Sequence, residues 1–161
     1  MKLEQTADGS YTLYVPELDE HYHSVKGALT ESQHIFIEMG LKHSPVSEPH
    51  ILEIGLGTGL NAFLTLLSAE ETRRKVHYTG IERYPLAEET LKQLDYPRLI
   101  GKQHEEDYYA IHQAPWDTET EVSPWFTLHK IEDDFTRLFN SVEGSRPAVP
   151  LYDIVYFDSF P

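Results

Sequence analysis

The sequence predicts an α/β domain built on a parallel sheet, preceded by an N-terminal β-hairpin. Three observations carry that expectation. From about residue 50 onward, short apolar strands alternate with helical stretches, the pattern of parallel strands joined by crossover helices. The first of those strands runs straight into a glycine-rich turn, Glu53-Ile54-Gly55-Leu56-Gly57-Thr58-Gly59. Near the N-terminus an Asp-Gly pair, Asp8-Gly9, separates two alternating runs, which is a hairpin signal.

Taken in order, residues 1–15 read as the hairpin, turning around Ala7-Asp8-Gly9-Ser10. From Lys26 to Leu41 the apolar residues Ala28, Leu29, Ile35, Phe36, Ile37 and Met39 fit a helix, with Gly40 as its stop. The run from Ser44 to Pro49 is a loop. His50–Ile54 is the first strand of the sheet, and Leu60, Phe63, Leu64 and Leu67 mark a helix from Leu60 to Glu71. Val76–Glu82 is the second strand and Leu86–Leu94 the next helix. Phe126–Ile131 is the third strand, with a helix from Asp134 to Phe139. Tyr152–Asp158 is the fourth strand. The stretch from Gly101 to Pro124, with its mixture of acids, prolines and aromatics, reads only as a helix plus an insertion. A single domain spanning 1–161 is expected, with 1–24 as the hairpin extension and 25–161 as the core.

Composition narrows the function classes. The chain is 40% hydrophobic and 12% aromatic, so it folds rather than remaining disordered. It has no cysteine, which excludes disulfides, thiolate nucleophiles and Cys-based zinc sites. No apolar run approaches the length of a membrane span, and the first residues lack the apolar segment of a signal peptide, so a cytoplasmic protein with no membrane partner is expected. A net charge of −14, from 13 basic and 27 acidic residues, argues against broad nonspecific binding to nucleic acid. Arg73-Arg74-Lys75 is the one basic cluster, and it reads as a solvated turn before a strand. His21 and His23 have no third ligand at matching spacing, so no metal site is expected.

The glycine turn carries the chemistry. Glycines after a strand and before a helix permit a tight turn and let a ligand approach the backbone closely. A dinucleotide fingerprint needs a further glycine where Leu60 stands, and Glu53 would repel a pyrophosphate. A sulfonium nucleoside such as S-adenosylmethionine carries no phosphate. Its cationic groups would meet Glu53 favourably, directly or through water. Glu82, ending the second strand, is placed to accept hydrogen bonds from ribose hydroxyls. Asp133 and Asp134, after the third strand, are placed to reach an adenine amino group. The other reading of Asp133-Asp134 is a helix cap. Asp158, after the fourth strand, faces the same crevice and suits an amine acceptor whose proton must be removed. Phe160 could stack on an acceptor ring.

Several segments together resemble a known family. They are Tyr22-His23-Ser24, then Gly27-Ala28-Leu29-x-Glu31-Ser32-x-His34-x-Phe36, then Ile51 to Asn61 across the glycine turn, then Tyr152-Asp153-x-x-Tyr156-Phe157-Asp158-x-Phe160. In these the chain resembles the MnmC-type methyltransferase domain, from about Tyr22 onward. The resemblance implies a Rossmann-like fold and S-adenosylmethionine-dependent methylation of 5-aminomethyl-2-thiouridine at the tRNA wobble position. It implies that Gly55, Gly57, Gly59 and Glu82 bind the cofactor, with Asp134 near the adenine. It puts Asp158 beside the reacting amine and has Tyr22 and Glu31 line the pocket. The family continues past the Asp-x-Phe segment, so a sheet short of its C-terminal strands, in a piece of a longer protein, is expected. No FAD is expected for this chain. A flavin-dependent oxidoreductase acting on the same nucleotide is an expected partner, with tRNA as substrate. Two alternatives remain open: an aminopropyltransferase of the spermidine-synthase type, and a non-catalytic cofactor-binding fragment.

Overall fold

The computed structural model describes residues 2–5, 7, 11–15, 20–21, 27–94, 96–140 and 152–157. At the N-terminus β1 (Lys2–Gln5) and β2 (Tyr11–Val15) pair antiparallel, with Lys2 opposite Tyr14 and Gln5 opposite Tyr11. The expected strand pair is there, and the turn residues Asp8, Gly9 and Ser10 lie outside the described residues. A third short strand, β3 (Glu20–His21), adds to β2, so the unit has three strands rather than two.

The helix expected before the sheet begins as α1 (Ala28–Ser32) and then widens into a π-helical turn over Gln33–Glu38, in which the Met39 N–H reaches back to the His34 carbonyl at 3.0 Å. Ile37 and Leu41 anchor this segment in the core. The sheet then begins with β4 (His50–Ile54), followed by α2 (Leu60–Thr72) and β5 (Val76–Glu82). Nearly every residue of α2 from Leu60 to Ala69 is buried, because the helix is sandwiched between the sheet and its helical neighbours. It ends at Arg73 in the left-handed conformation, φ 52°.

Three short helices follow: α3 (Glu88–Leu94), α4 (Tyr96–Ile100) and α5 (Glu105–Gln113). Then come β6 (Glu119–Ser123), β7 (Phe126–Glu132), α6 (Phe135–Asn140) and β8 (Ile154–Phe157). The stretch that sequence reasoning left unassigned therefore holds α5 and an antiparallel edge strand.

The five strands lie in the order β6-β7-β5-β4-β8. β7, β5, β4 and β8 are parallel, and β6 pairs antiparallel with β7. The chain steps outward from β4 to β5 to β7, then returns to the far side of β4 as β8. That reversal makes a topological switch point at the carboxyl end of β4, where open α/β sheets bind ligands.

The sheet has two faces. Ile51, Tyr78, Phe126, Leu128 and Tyr156 pack with Leu60, Phe63 and Leu66 of α2 in the main core. Leu52, Ile54 and Ile81 form a smaller cluster on the opposite face, joined by Ile131, Phe135 and Tyr152. Phe157 and Val155 are exposed, and the Phe157 ring meets Phe135 edge-on at 6.0 Å. The entry to β8 is pinned by Asp153. Its N–H donates to the His50 carbonyl at 2.7 Å, and its carboxylate accepts the His50 N–H at 2.8 Å.

Arg74 does more than face solvent. Its guanidinium donates to the carbonyls of Leu41, at 2.9 Å, Ser44, at 2.7 Å, and Val46, at 3.0 Å. The solvated-turn reading of this cluster is corrected at Arg74: a planar fork of donors holds the loop before β4 onto the end of α2. No helix among the described residues is long and apolar enough to cross a membrane.

Candidate functional site

The glycine turn leaves β4 and hangs from β5. The Ile81 carbonyl accepts two N–H groups, from Gly55 at 2.9 Å and from Leu56 at 3.1 Å. Gly55, Gly57 and Gly59 all take positive φ, at 88°, 54° and 77°. Each lies where a side chain would be strained, which is the physical reason for glycine at all three. Leu60, standing where a dinucleotide fingerprint would have glycine, is 1% exposed and opens α2 inside the core.

Glu82 closes the turn from the neighbouring strand. Its Oε1 accepts the Gly57 N–H at 2.9 Å and its Oε2 accepts the Arg83 N–H at 3.0 Å. The side chain is half-buried, and desolvation pushes its carboxyl above the usual range, partly offset by these backbone N–H groups. The acid at the end of the second strand is thus part of the loop's geometry.

Glu53 is 1% exposed and lies beside Gly80 and Tyr156 in the sheet register. Its Oε1 accepts from the Tyr78 hydroxyl at 2.8 Å and its Oε2 from the Asn61 amide at 2.7 Å. The sequence reading gave this acid a cationic ligand group as its partner. In the structure, protein donors from β5 and α2 engage both carboxylate oxygens, as a buried carboxylate requires.

After β7, the Asp133 N–H donates to the Glu82 carbonyl at 3.1 Å, which ties the two strand ends together. Asp134 accepts from the Thr136 N–H at 2.9 Å and from its hydroxyl at 2.8 Å, and it lies 3.3 Å from Arg83. This is helix-cap geometry at the start of α6, and those Thr136 donors hold the Asp134 carboxyl below the usual range. Asp133 accepts the Asp134 N–H at 2.7 Å and lies 3.8 Å from Arg137.

Glu31 is half-buried on α1. The segment that carries it reaches β8 through Phe36, whose ring lies 4.9 Å from that of Tyr156. Two of the resemblance-bearing segments thus touch. Tyr22, Asp158 and Phe160 lie outside the described residues. Gly55, Gly57, Gly59, Glu82 and Asp133 are brought together at the carboxyl ends of β4, β5 and β7. No group of three or more His, Asp or Glu among the described residues could hold a metal ion.

Sequence reasoning passed over two side chains beneath the turn. His112, in the last turn of α5, hydrogen-bonds the Thr58 backbone. Lys130, on β7, is 2% exposed and donates to the His112 carbonyl at 2.9 Å, with the Trp116 ring centroid 4.7 Å away. No local pattern marks either residue, because only the tertiary fold brings α5 under the turn.

Comparison with known proteins gives consistent names. The tRNA 5-methylaminomethyl-2-thiouridine biosynthesis bifunctional protein MnmC of Magnetococcus marinus is 34% identical over 94 residues, covering 53% of this chain and 14% of that protein. The protein of the same name from Paraburkholderia xenovorans is 26% identical over 161 residues, covering 92% of this chain and 24% of that one. The crystal structure of MnmC2 from Aquifex aeolicus superposes with a TM-score of 0.73 at 25% identity, covering 99% of this chain and 49% of that one. The chain is related to the MnmC proteins. It spans about half of the solved MnmC2 chain and a quarter or less of these two MnmC proteins. No family model matches it. The five-stranded, mostly parallel sheet is the Rossmann-like methyltransferase fold of MnmC2.

Proposed function

We propose that this chain is the S-adenosylmethionine-binding part of an MnmC-type methyltransferase that acts on the amine of 5-aminomethyl-2-thiouridine in tRNA. The observation that carries the reading is the Gly57–Glu82 hydrogen bond. It joins a left-handed glycine turn to a strand-end acid at the topological switch point. The residues fit a sulfonium nucleoside: a backbone turn open to close approach, an acceptor for hydroxyls in Glu82, and Leu60 in place of a phosphate-binding glycine.

When bound, S-adenosylmethionine supplies a methyl group made electrophilic by the attached sulfonium. The chain's own residues do the rest. Glu82 accepts from the ribose hydroxyls, and Asp133 and Asp134 border the adenine side. Glu53 fixes the start of the turn through Tyr78 and Asn61, and its negative charge favours the cationic end of the ligand. Asp158 holds the acceptor amine and takes its proton as the nitrogen–carbon bond forms and the carbon–sulfur bond breaks. Phe160 stacks on the acceptor ring, and Tyr22 and Glu31 line its pocket. The acceptor tRNA contacts the domain locally, as the net charge of −14 demands. A flavin-dependent oxidoreductase acting on the same nucleotide fits as a partner, since the MnmC relatives are named bifunctional. The setting is the cytoplasm. Neither relative named above favours the aminopropyltransferase alternative.

The test is transfer of labelled methyl from S-adenosylmethionine to tRNA from a strain lacking the modification. Asp158→Ala should keep S-adenosylhomocysteine binding and lose transfer. Transfer at the wild-type rate in that variant would remove Asp158 from the mechanism. Binding of S-adenosylhomocysteine without transfer by any longer form of the protein would favour the non-catalytic fragment.

A further inference from the structure

We infer that His112 is a positioning residue for the cofactor turn, its imidazole acting as the post on which Thr58 and Gly59 rest. The inference rests on the cofactor reading above and extends it to a residue in the crossover between β5 and β7. A Cβ built on Gly59 would lie 2.7 Å from His112 Cε1 and 3.0 Å from Nε2, so the ring occupies the space immediately beneath the turn's third glycine. The imidazole also bonds the Thr58 backbone. Its Nε2 is buried without a hydrogen-bond partner among the described residues.

The post is itself held from two sides. The Tyr108 ring, fully buried, meets the imidazole edge-on with centroids 4.6 Å apart. Lys130 grips the His112 carbonyl at 2.9 Å, so the last turn of α5 is fastened to β7. Burial and the nearby Lys130 charge lower the His112 ring to about 4, so it stands neutral at physiological pH. A neutral ring adds no charge beside the turn. The Phe63 N–H donates to the Gly59 carbonyl at 2.9 Å, so the same glycine sets the start of α2. Moving the ring therefore moves both the turn and the helix that leaves it.

The experiment measures S-adenosylhomocysteine binding by isothermal titration calorimetry, with thermal melts alongside. The proteins are wild type, His112→Ala and His112→Phe. Alanine removes the ring beneath Gly59; phenylalanine keeps a ring there. His112→Ala should bind about tenfold more weakly, and His112→Phe should recover to within about threefold of wild type. A second readout needs no variant: the imidazole nitrogen resonances of wild-type His112 should shift when S-adenosylhomocysteine is added. Equal affinity in all three proteins, or imidazole resonances indifferent to the ligand, overturns the role of His112 alone. Failure of the wild-type protein to bind S-adenosylhomocysteine overturns the cofactor reading and this role with it.

Discussion

Replacing Lys130 with methionine tests how a lone ammonium is tolerated under the glycine turn. The Lys130 side chain is 2% exposed, and its neighbours are the His112 carbonyl at the end of α5 and the face of Trp116. Burial pulls its ammonium from the ordinary 10.5 down to about 8. Each pKa unit corresponds to ~1.4 kcal/mol, so the charge opposes folding by about 3 kcal/mol at neutral pH. Below about pH 8 both folded and unfolded chains hold the proton, and that penalty is constant. Between about 8 and 10.5 the unfolded chain still holds it while the folded chain has released it, so stability rises with pH across that window. Methionine removes the titration and leaves one carbonyl of α5 without its donor, a loss of about 1–3 kcal/mol. At pH 7 the two effects nearly cancel, and Lys130→Met should be close to wild type or slightly more stable. The sharp expectation concerns the difference between the two proteins. Wild type should gain about 2–3 kcal/mol on the variant between pH 7 and pH 10. Urea unfolding followed by tryptophan fluorescence at several pH values measures it. A difference that stays flat across that range would refute the claim that the Lys130 ammonium is buried.

Three other perturbations have defined outcomes. Arg74→Ala should destabilise the protein by about 2 kcal/mol through the lost charge-assisted bonds to three carbonyls, lowering the melting temperature by about 4–8 °C. Tyr78→Phe should cost about 2 kcal/mol in urea unfolding, because it takes a donor from the buried Glu53 carboxylate. Glu82→Gln should weaken S-adenosylhomocysteine binding about tenfold, or ~1.4 kcal/mol. In wild type that binding should begin to fall, as the solution is acidified, at a higher pH than an ordinary glutamate would set, because burial raises the Glu82 carboxyl.

The parts of the fold legible in the sequence were those written in local pattern. His50–Ile54 and Val76–Glu82 are short apolar runs beside glycine or acid, and their strand bounds agree with the structure. The three glycines announced a tight turn, and the structure gives all three the positive φ that glycine takes cheaply. What escaped was decided by distant partners. β6 is rich in acids and half-exposed, so its apolar content is too low to read as a strand; it exists because β7 offers a free edge. The π-helical turn at Gln33–Glu38 keeps helical periodicity in its sequence and differs only in winding. Arg74 looked like one of three surface cations until the loop carbonyls of residues 41–46 came within its reach. Asp134 was readable as either cap or ligand group, and Thr136 two residues on supplies the donors of a cap.

The Gly57–Glu82 hydrogen bond has a consequence for the timing of entropy loss. A glutamate free to rotate at a strand end would have to be frozen by each arriving ligand, and part of the interaction energy would be consumed in freezing it. Here the side chain is already immobilised by two peptide N–H groups at 2.9 and 3.0 Å, so its rotamers are lost during folding and not again on association. A carboxylate has about four acceptor sites, so Glu82 retains acceptor capacity for an incoming hydroxyl beside its backbone partners. The arrangement also makes the acid and the turn report on one another: a ligand that draws Glu82 toward itself draws Gly57 as well, so occupancy at the sugar end is felt in the backbone that faces the other end.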